Sequence, residues 1–164
     1  MTSEKHPMDH AAYEAAALNG PCFICALLAD DPAYTHEIVH EDDETIAFLD
    51  RWPTVPAKVL VAPKPHIEHV VRDLDEAAYT RLMLTVRRVA LAVESVVRPE
   101  RTYLLSLGSQ QGNAHLHWHI AGLPRNVPYR EQQFHALMSE NGVLRPSPAE
   151  SGALATRLRE ALSR

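Results

Sequence analysis

The chain has 164 residues, 46% of them hydrophobic and 23% charged, which suits one globular domain with a sizeable core. A net charge of -5 argues against the basic face of a general nucleic-acid binder, while leaving room for a nucleotide held by a few backbone N–H groups. No apolar run reaches signal-peptide or membrane-spanning length, so the expectation is a cytoplasmic protein with no membrane and no nucleic-acid partner.

Residues 9–18 read as a short helix stopped by Asn19-Gly20-Pro21. The cysteines of "CFIC", Cys22 and Cys25, are too close in sequence to staple a fold, and the acidic stretch after them reads as loop. "EIVHE" and "TIAFLD" read as strands joined by a turn at Asp42-Asp43-Glu44. "RWPTVPA" is loop, and "KVLVAP" is a third strand ended by Pro63 and Pro65. From about 74 to 98, Leu82, Val86, Val89, Ala90, Val93 and Val97 recur at helical spacing and predict an amphipathic helix packed on the sheet. "TYLLSLG" and "AHLHWHIAG" complete five strands, and helices over roughly 129–140 and 148–162 end the chain. The order predicts an α+β fold with a mainly antiparallel five-stranded sheet.

The last strand carries the chemistry. Side chains alternate along a strand, so His115, His117 and His119 share one face while Leu116, Trp118 and Ile120 take the other, apolar enough to lie under the long helix. Three readings of the row are open. It is a solvated face that happens to use histidine, a metal site, or a covalent catalyst. Metal binding by all three rings is strained, because His115 and His119 start roughly 13 Å apart on a strand. A covalent role suits the middle ring, since a neutral imidazole is nucleophilic without a base to deprotonate it. Just upstream, "LGSQQGNAH" supplies Gly108, Ser109, Gln111, Gly112 and Asn113, a composition suited to aiming N–H groups at an anion.

"HLHWHIA" resembles the His-φ-His-φ-His-φ-φ signature of the histidine-triad (HIT) family of nucleotide hydrolases and transferases. "EIVHEDDETIAFLD", "KVLVAPKPHIEHV" and "LPR" are similar to other stretches of that family, over residues 22–125. The resemblance implies a HIT domain over 1–125 with residues 126–164 as a helical extension. It implies that His117 attacks the α-phosphorus of a purine nucleotide or nucleotidyl conjugate. His119 then contacts phosphate or leaving group, His115 orients the nucleophile, and water releases a nucleoside monophosphate. Asp50 is implied at the ribose hydroxyls, with Phe48 and Arg51 near the base. No cofactor is implied for catalysis, and a homodimer is the expected assembly. Transfer or phosphorolysis, and a nucleotide sensor with little turnover, stay open as alternatives.

Two departures from the family pattern stand out. Gln111-Gly112 replaces Gln followed by Ser or Thr, so the phosphate loses one hydroxyl donor, for which Ser109, Asn113 or a backbone N–H is the replacement. Relatives with Cys-x-x-Cys hold a structural zinc, with the first triad histidine as a further ligand. This implies Cys22, Cys25 and His115 as metal ligands, but Lys58 stands at the expected fourth position, and an ammonium offers no lone pair. His36 and His40 are the substitutes considered.

Overall fold

The strands β1 (Ile38–Glu41), β2 (Thr45–Leu49), β3 (Val59–Pro63), β4 (Arg101–Ser106) and β5 (Trp118–Leu123) form one sheet in the order β1-β2-β3-β5-β4. Every neighbouring pair is antiparallel. This is the expected α+β architecture, seen in a computed structural model that describes residues 4–164. The β1–β2 turn forms where the acidic run predicts it. Asp42 Oδ1 accepts from the Glu44 and Thr45 N–H groups at 3.0 and 2.7 Å and from the Thr45 hydroxyl at 2.9 Å.

Helices cover the faces. Following α1 (His10–Asn19) and α2 (Phe23–Leu28), the long helix α3 (Glu76–Val97) starts at an Asp75 cap and ends where Arg98 turns left-handed ahead of Pro99. Its stripe of Leu82, Val86, Val89, Ala90 and Val93 is buried against Ala47, Leu49, Val59, Val61, Leu116 and Ile120. The opposite sheet face is shared. At one end Ile46, Phe48, Leu60 and Ala62 pack with Ile24 of α2. At the other, Ala121 and Leu123 are covered by Val55 and by Ala136 from the tail.

The two expected tail helices fare differently. The helix α5 (Pro148–Leu162) forms with a Ser147–Glu150 capping box, and Leu154, Ala155 and Leu158 join the α3 core. Residues 129–141 instead break into a 3-10 turn, one α-helical turn, α4 (Phe134–Leu137), and a second 3-10 turn. The interruption falls at Gln133, whose φ of 55° is incompatible with a continuous helix. At the front, "CFIC" opens a helix, where sequence alone read no element. Among the described residues no helix is long and apolar enough to cross a membrane.

Candidate functional site

The triad segment is less of a strand than its pattern suggests. Regular pairing begins at Trp118, so of the three histidines only His119 lies on β5. The facing partner explains the change. Pro63 ends β3 and lacks an N–H, and Leu116 N–H donates instead to the Ile67 carbonyl at 2.7 Å. The alternation survives without the ladder. Leu116, Trp118 and Ile120 face the α3 core, and the three rings take the other side.

Hydrogen bonds fix the individual rings. His117 is buried, 5% exposed, and its Nδ1 lies 2.7 Å from the His115 carbonyl. A carbonyl only accepts, so Nδ1 carries the proton and Nε2 keeps its lone pair. The Ser106 hydroxyl donates to the His117 carbonyl at 2.9 Å and holds the backbone. Burial pushes His117 below the ordinary histidine range, so the ring is neutral at physiological pH. Phe23 of α2 meets it edge-on, with ring centroids 5.6 Å apart. The His119 ring is 4.8 Å from His117 and is lowered to about 3, by burial first and then by the charges of Lys58 and His117. Its Nδ1 is buried and has no hydrogen-bond partner among the described residues.

Asp50 lies at the end of β2 beside this group. Its Oδ2 is 2.8 Å from Lys58 Nζ, and its Oδ1 accepts the Trp52 N–H at 2.9 Å. Burial alone would raise this carboxyl, but Lys58 and the Trp52 N–H outweigh it and hold Asp50 below the usual carboxylate range. Phe48 and Arg51, the expected base contacts, differ in exposure. Phe48 is fully buried between Phe23 and His36 and offers no ring face to a base, a correction to the expectation. Arg51 is exposed, reaching the Ala33 carbonyl at 3.4 Å and lying over the Trp52 ring.

The loop after β4 closes on itself as a turn. Gly112 N–H donates to the Ser109 carbonyl and Gln111 N–H to the Ser109 hydroxyl, both at 3.2 Å. Asn113 Nδ2 donates to the Tyr13 hydroxyl of α1 at 2.8 Å. Gly112 is required here, since a Cβ would stand 2.8 Å from the Ala17 carbonyl. A cavity of about 40 Å³ lies between the 50–58 loop and α5; Asp50 and Lys58 line it and the three histidines do not.

Cys22, Cys25, His66 and His115 bring four ligand atoms within 4.8 Å of one another. The fourth member is His66, which corrects the sequence expectation. Lys58 is committed to Asp50, His36 donates Nδ1 to the Leu49 carbonyl, and His40 bonds Asp42. His115 Nδ1 lies 3.5 and 3.6 Å from the two sulfurs, and His66 Nδ1 lies 3.2 Å from Cys25 Sγ. Tetrahedral zinc, with Zn–S near 2.3 Å and Zn–N near 2.0 Å, spaces its ligand atoms by about 3.3–3.8 Å, so the set fits. The outer contacts fit too. His115 Nε2 donates to the Pro63 carbonyl at 2.8 Å, and His66 Nε2 is 3.3 Å from Glu68, leaving both Nδ1 atoms free to ligate. Burial works against the Cys22 thiolate, yet the His115 ring and the Cys25 N–H hold Cys22 down at about 6.

Comparison with known proteins shows the family. The HIT domain model aligns with residues 32–126, more than half of the chain. The chain belongs to the HIT family. An uncharacterised HIT-like protein of Saccharolobus solfataricus is 30% identical over 103 residues, 60% of this chain and 71% of the relative. A bifunctional adenosine 5'-phosphosulfate phosphorylase/adenylylsulfatase of Arabidopsis thaliana is 26% identical over 155 residues, 91% of this chain and 99% of the plant protein. The crystal structure of a zinc-bound histidine triad family protein from Mycobacterium smegmatis superposes with a TM-score of 0.66 at 20% identity, covering 87% of this chain and 93% of that one.

Within the HIT site, sequence reasoning missed three residues. His66 lay in view, inside "KVLVAPKPHIEHV", but two prolines hide where the chain turns after β3. Phe23 reaches His117 only because α2 folds beneath the triad, and Tyr13 reaches Asn113 across 100 residues of chain. Neither carries a local signal.

Proposed function

We propose that this HIT protein cleaves a nucleotidyl conjugate through a covalent nucleotidyl-histidine intermediate and releases a nucleoside monophosphate. The observation that carries the reading is the His117 tautomer. With Nδ1 donating to the His115 carbonyl, the Nε2 lone pair is available to the α-phosphorus. Attack forms a P–N bond as the bond to the leaving group breaks, and water then resolves the intermediate. Asp50 is assigned to the ribose hydroxyls and the 109–113 turn to phosphate, which requires local donors such as the Gly112 N–H to exchange partners on binding. Dinucleoside polyphosphates and nucleoside phosphoramidates are the candidate substrates, and the plant relative's adenosine 5'-phosphosulfate belongs to the same chemical class of nucleotidyl conjugates.

The Cys22, Cys25, His66 and His115 set is assigned to a structural zinc. Bound there, the ion pins α2, and with it Phe23, against the triad. No step of the reaction uses it. A homodimer is proposed through the open edge at β4, where Leu104 and Leu107 are exposed. The test is release of AMP from diadenosine tetraphosphate and from adenosine 5'-phosphoramidate, with His117→Ala as comparison. Turnover by the wild type with a loss of at least about a thousandfold in the variant supports the reading. Nucleotide binding without turnover points to a sensor, and turnover that survives the substitution removes His117 from the chemistry.

A further inference from the structure

Asp50 directly follows β2, Lys58 directly precedes β3, and His119 lies on β5, the next strand over from β3. The Asp50 N–H donates to the Lys58 carbonyl at 3.0 Å, one step beyond the Leu49↔Val59 pair of the β2–β3 ladder. The β3–β5 register sets Leu60 opposite His119, so Lys58 is the diagonal neighbour of that ring, within reach of a long side chain. All three side chains leave the face opposite α3, because Leu49, Val59 and Ile120, one residue along, pack into the α3 core.

The Lys58–Asp50 pair is 11% and 13% exposed, a costly place to hold an ammonium for stability alone. Its field reaches His119. His119 Nδ1, buried beside this pair, has no hydrogen-bond partner among the described residues, and the Lys58 ammonium is the diagonal neighbour of that ring.

We propose that Lys58 contacts the substrate, meets the negative charge on the departing oxygen, and selects nucleotidyl anhydrides over nucleotidyl amides. The proposal rests on the reading of His117 as nucleophile. In an anhydride, the Nε2 lone pair forms the P–N bond while the electron pair of the breaking P–O bond stays on the bridging oxygen. That oxyanion leaves without a proton, and the Lys58 ammonium faces it. In a phosphoramidate the pair stays on nitrogen, and the amine must leave protonated. A neutral His119 and an ammonium tied to Asp50 are poor donors of that proton.

The test compares kcat/KM of the wild type, Lys58→Gln and Lys58→Arg on diadenosine tetraphosphate and adenosine 5'-phosphoramidate, with His117→Ala in the same series. Glutamine keeps a donor to Asp50 but removes the charge. The expected result is a loss of about 100-fold on the anhydride, the size seen on removing one preorganised donor, with less than about 5-fold on the phosphoramidate. Lys58→Arg should restore most of the loss. The retained phosphoramidate activity shows that Lys58→Gln is folded. Where it is not, Lys58→Met/Asp50→Asn strands no buried charge and must show the same change of ratio. His117-dependent turnover whose substrate ratio is unchanged by removing the charge overturns the role of Lys58 alone. Turnover indifferent to His117, or no turnover of either substrate by the wild type, overturns the parent reading and this one with it.

Discussion

The carbonyl oxygen of His115 takes a 2.7 Å hydrogen bond from Nδ1 of His117, while the His115 ring points the other way, toward Cys22 and Cys25. One residue therefore joins the cysteine–histidine cluster to the tautomer of the central triad ring. His115, proposed as a zinc ligand, and His117, proposed as the nucleophile, are two residues apart on an extended segment, so a metal held by the cluster would act on the triad by fixing backbone and not by contact with substrate.

The protein should bind zinc in a 1:1 ratio, measured by elemental analysis of the dialysed protein. Cys25→Ser should bring that ratio close to zero and lower Tm by at least about 4 °C, a destabilisation on the order of 2 kcal/mol. A wild type that neither holds zinc nor gains thermal stability when zinc is added would contradict the assignment.

The tail should be part of the core. Leu158 is fully buried where α5 meets the α3 cluster, so Leu158→Ala creates a cavity costing about 2–4 kcal/mol, read by urea denaturation. A single cooperative transition at lower midpoint is expected. A separate early transition would show instead that residues 126–164 fold as an independent unit.

The β1–β2 turn should make stability acid-sensitive. Burial opposes ionisation of Asp42, but His40, the Glu44 and Thr45 N–H groups and the Thr45 hydroxyl outweigh it and hold the carboxyl at about 2. Because the folded value lies below the unfolded one near 3.8, the stabilisation is complete above about pH 4 and is lost as pH falls toward 2. Asp42→Asn should therefore differ from the wild type most at pH 5 and converge on it near pH 2 in acid unfolding curves. A gap that stays constant over that range would contradict the account.

The period-two row of histidines, the α3 stripe and the acidic hairpin turn were legible in the sequence because each depends on neighbours close in the chain. What was not legible depends on where distant backbone turns. Pro63 and Pro65 end β3 and swing His66 back to Cys25, which no spacing rule announces. The same prolines leave His115 and His117 without a strand partner, so an alternating pattern that predicts a ladder yields only an extended arm. Lys58 looked like a failed metal ligand because its position was compared with one pattern; the β2–β3 register places it opposite Asp50 instead. Phe48 illustrates a third limit. An aromatic residue on a strand reads equally as core or as ligand contact until the helix that covers it, here α2, is known.

The most direct test of the covalent step is intact-protein mass spectrometry after millisecond mixing with excess diadenosine tetraphosphate, followed by peptide mapping. The account predicts a transient adduct of one AMP that maps to His117, is absent from His117→Ala, and decays as AMP appears in solution. Rapid AMP release with no adduct at any time, or an adduct on another residue, would contradict it.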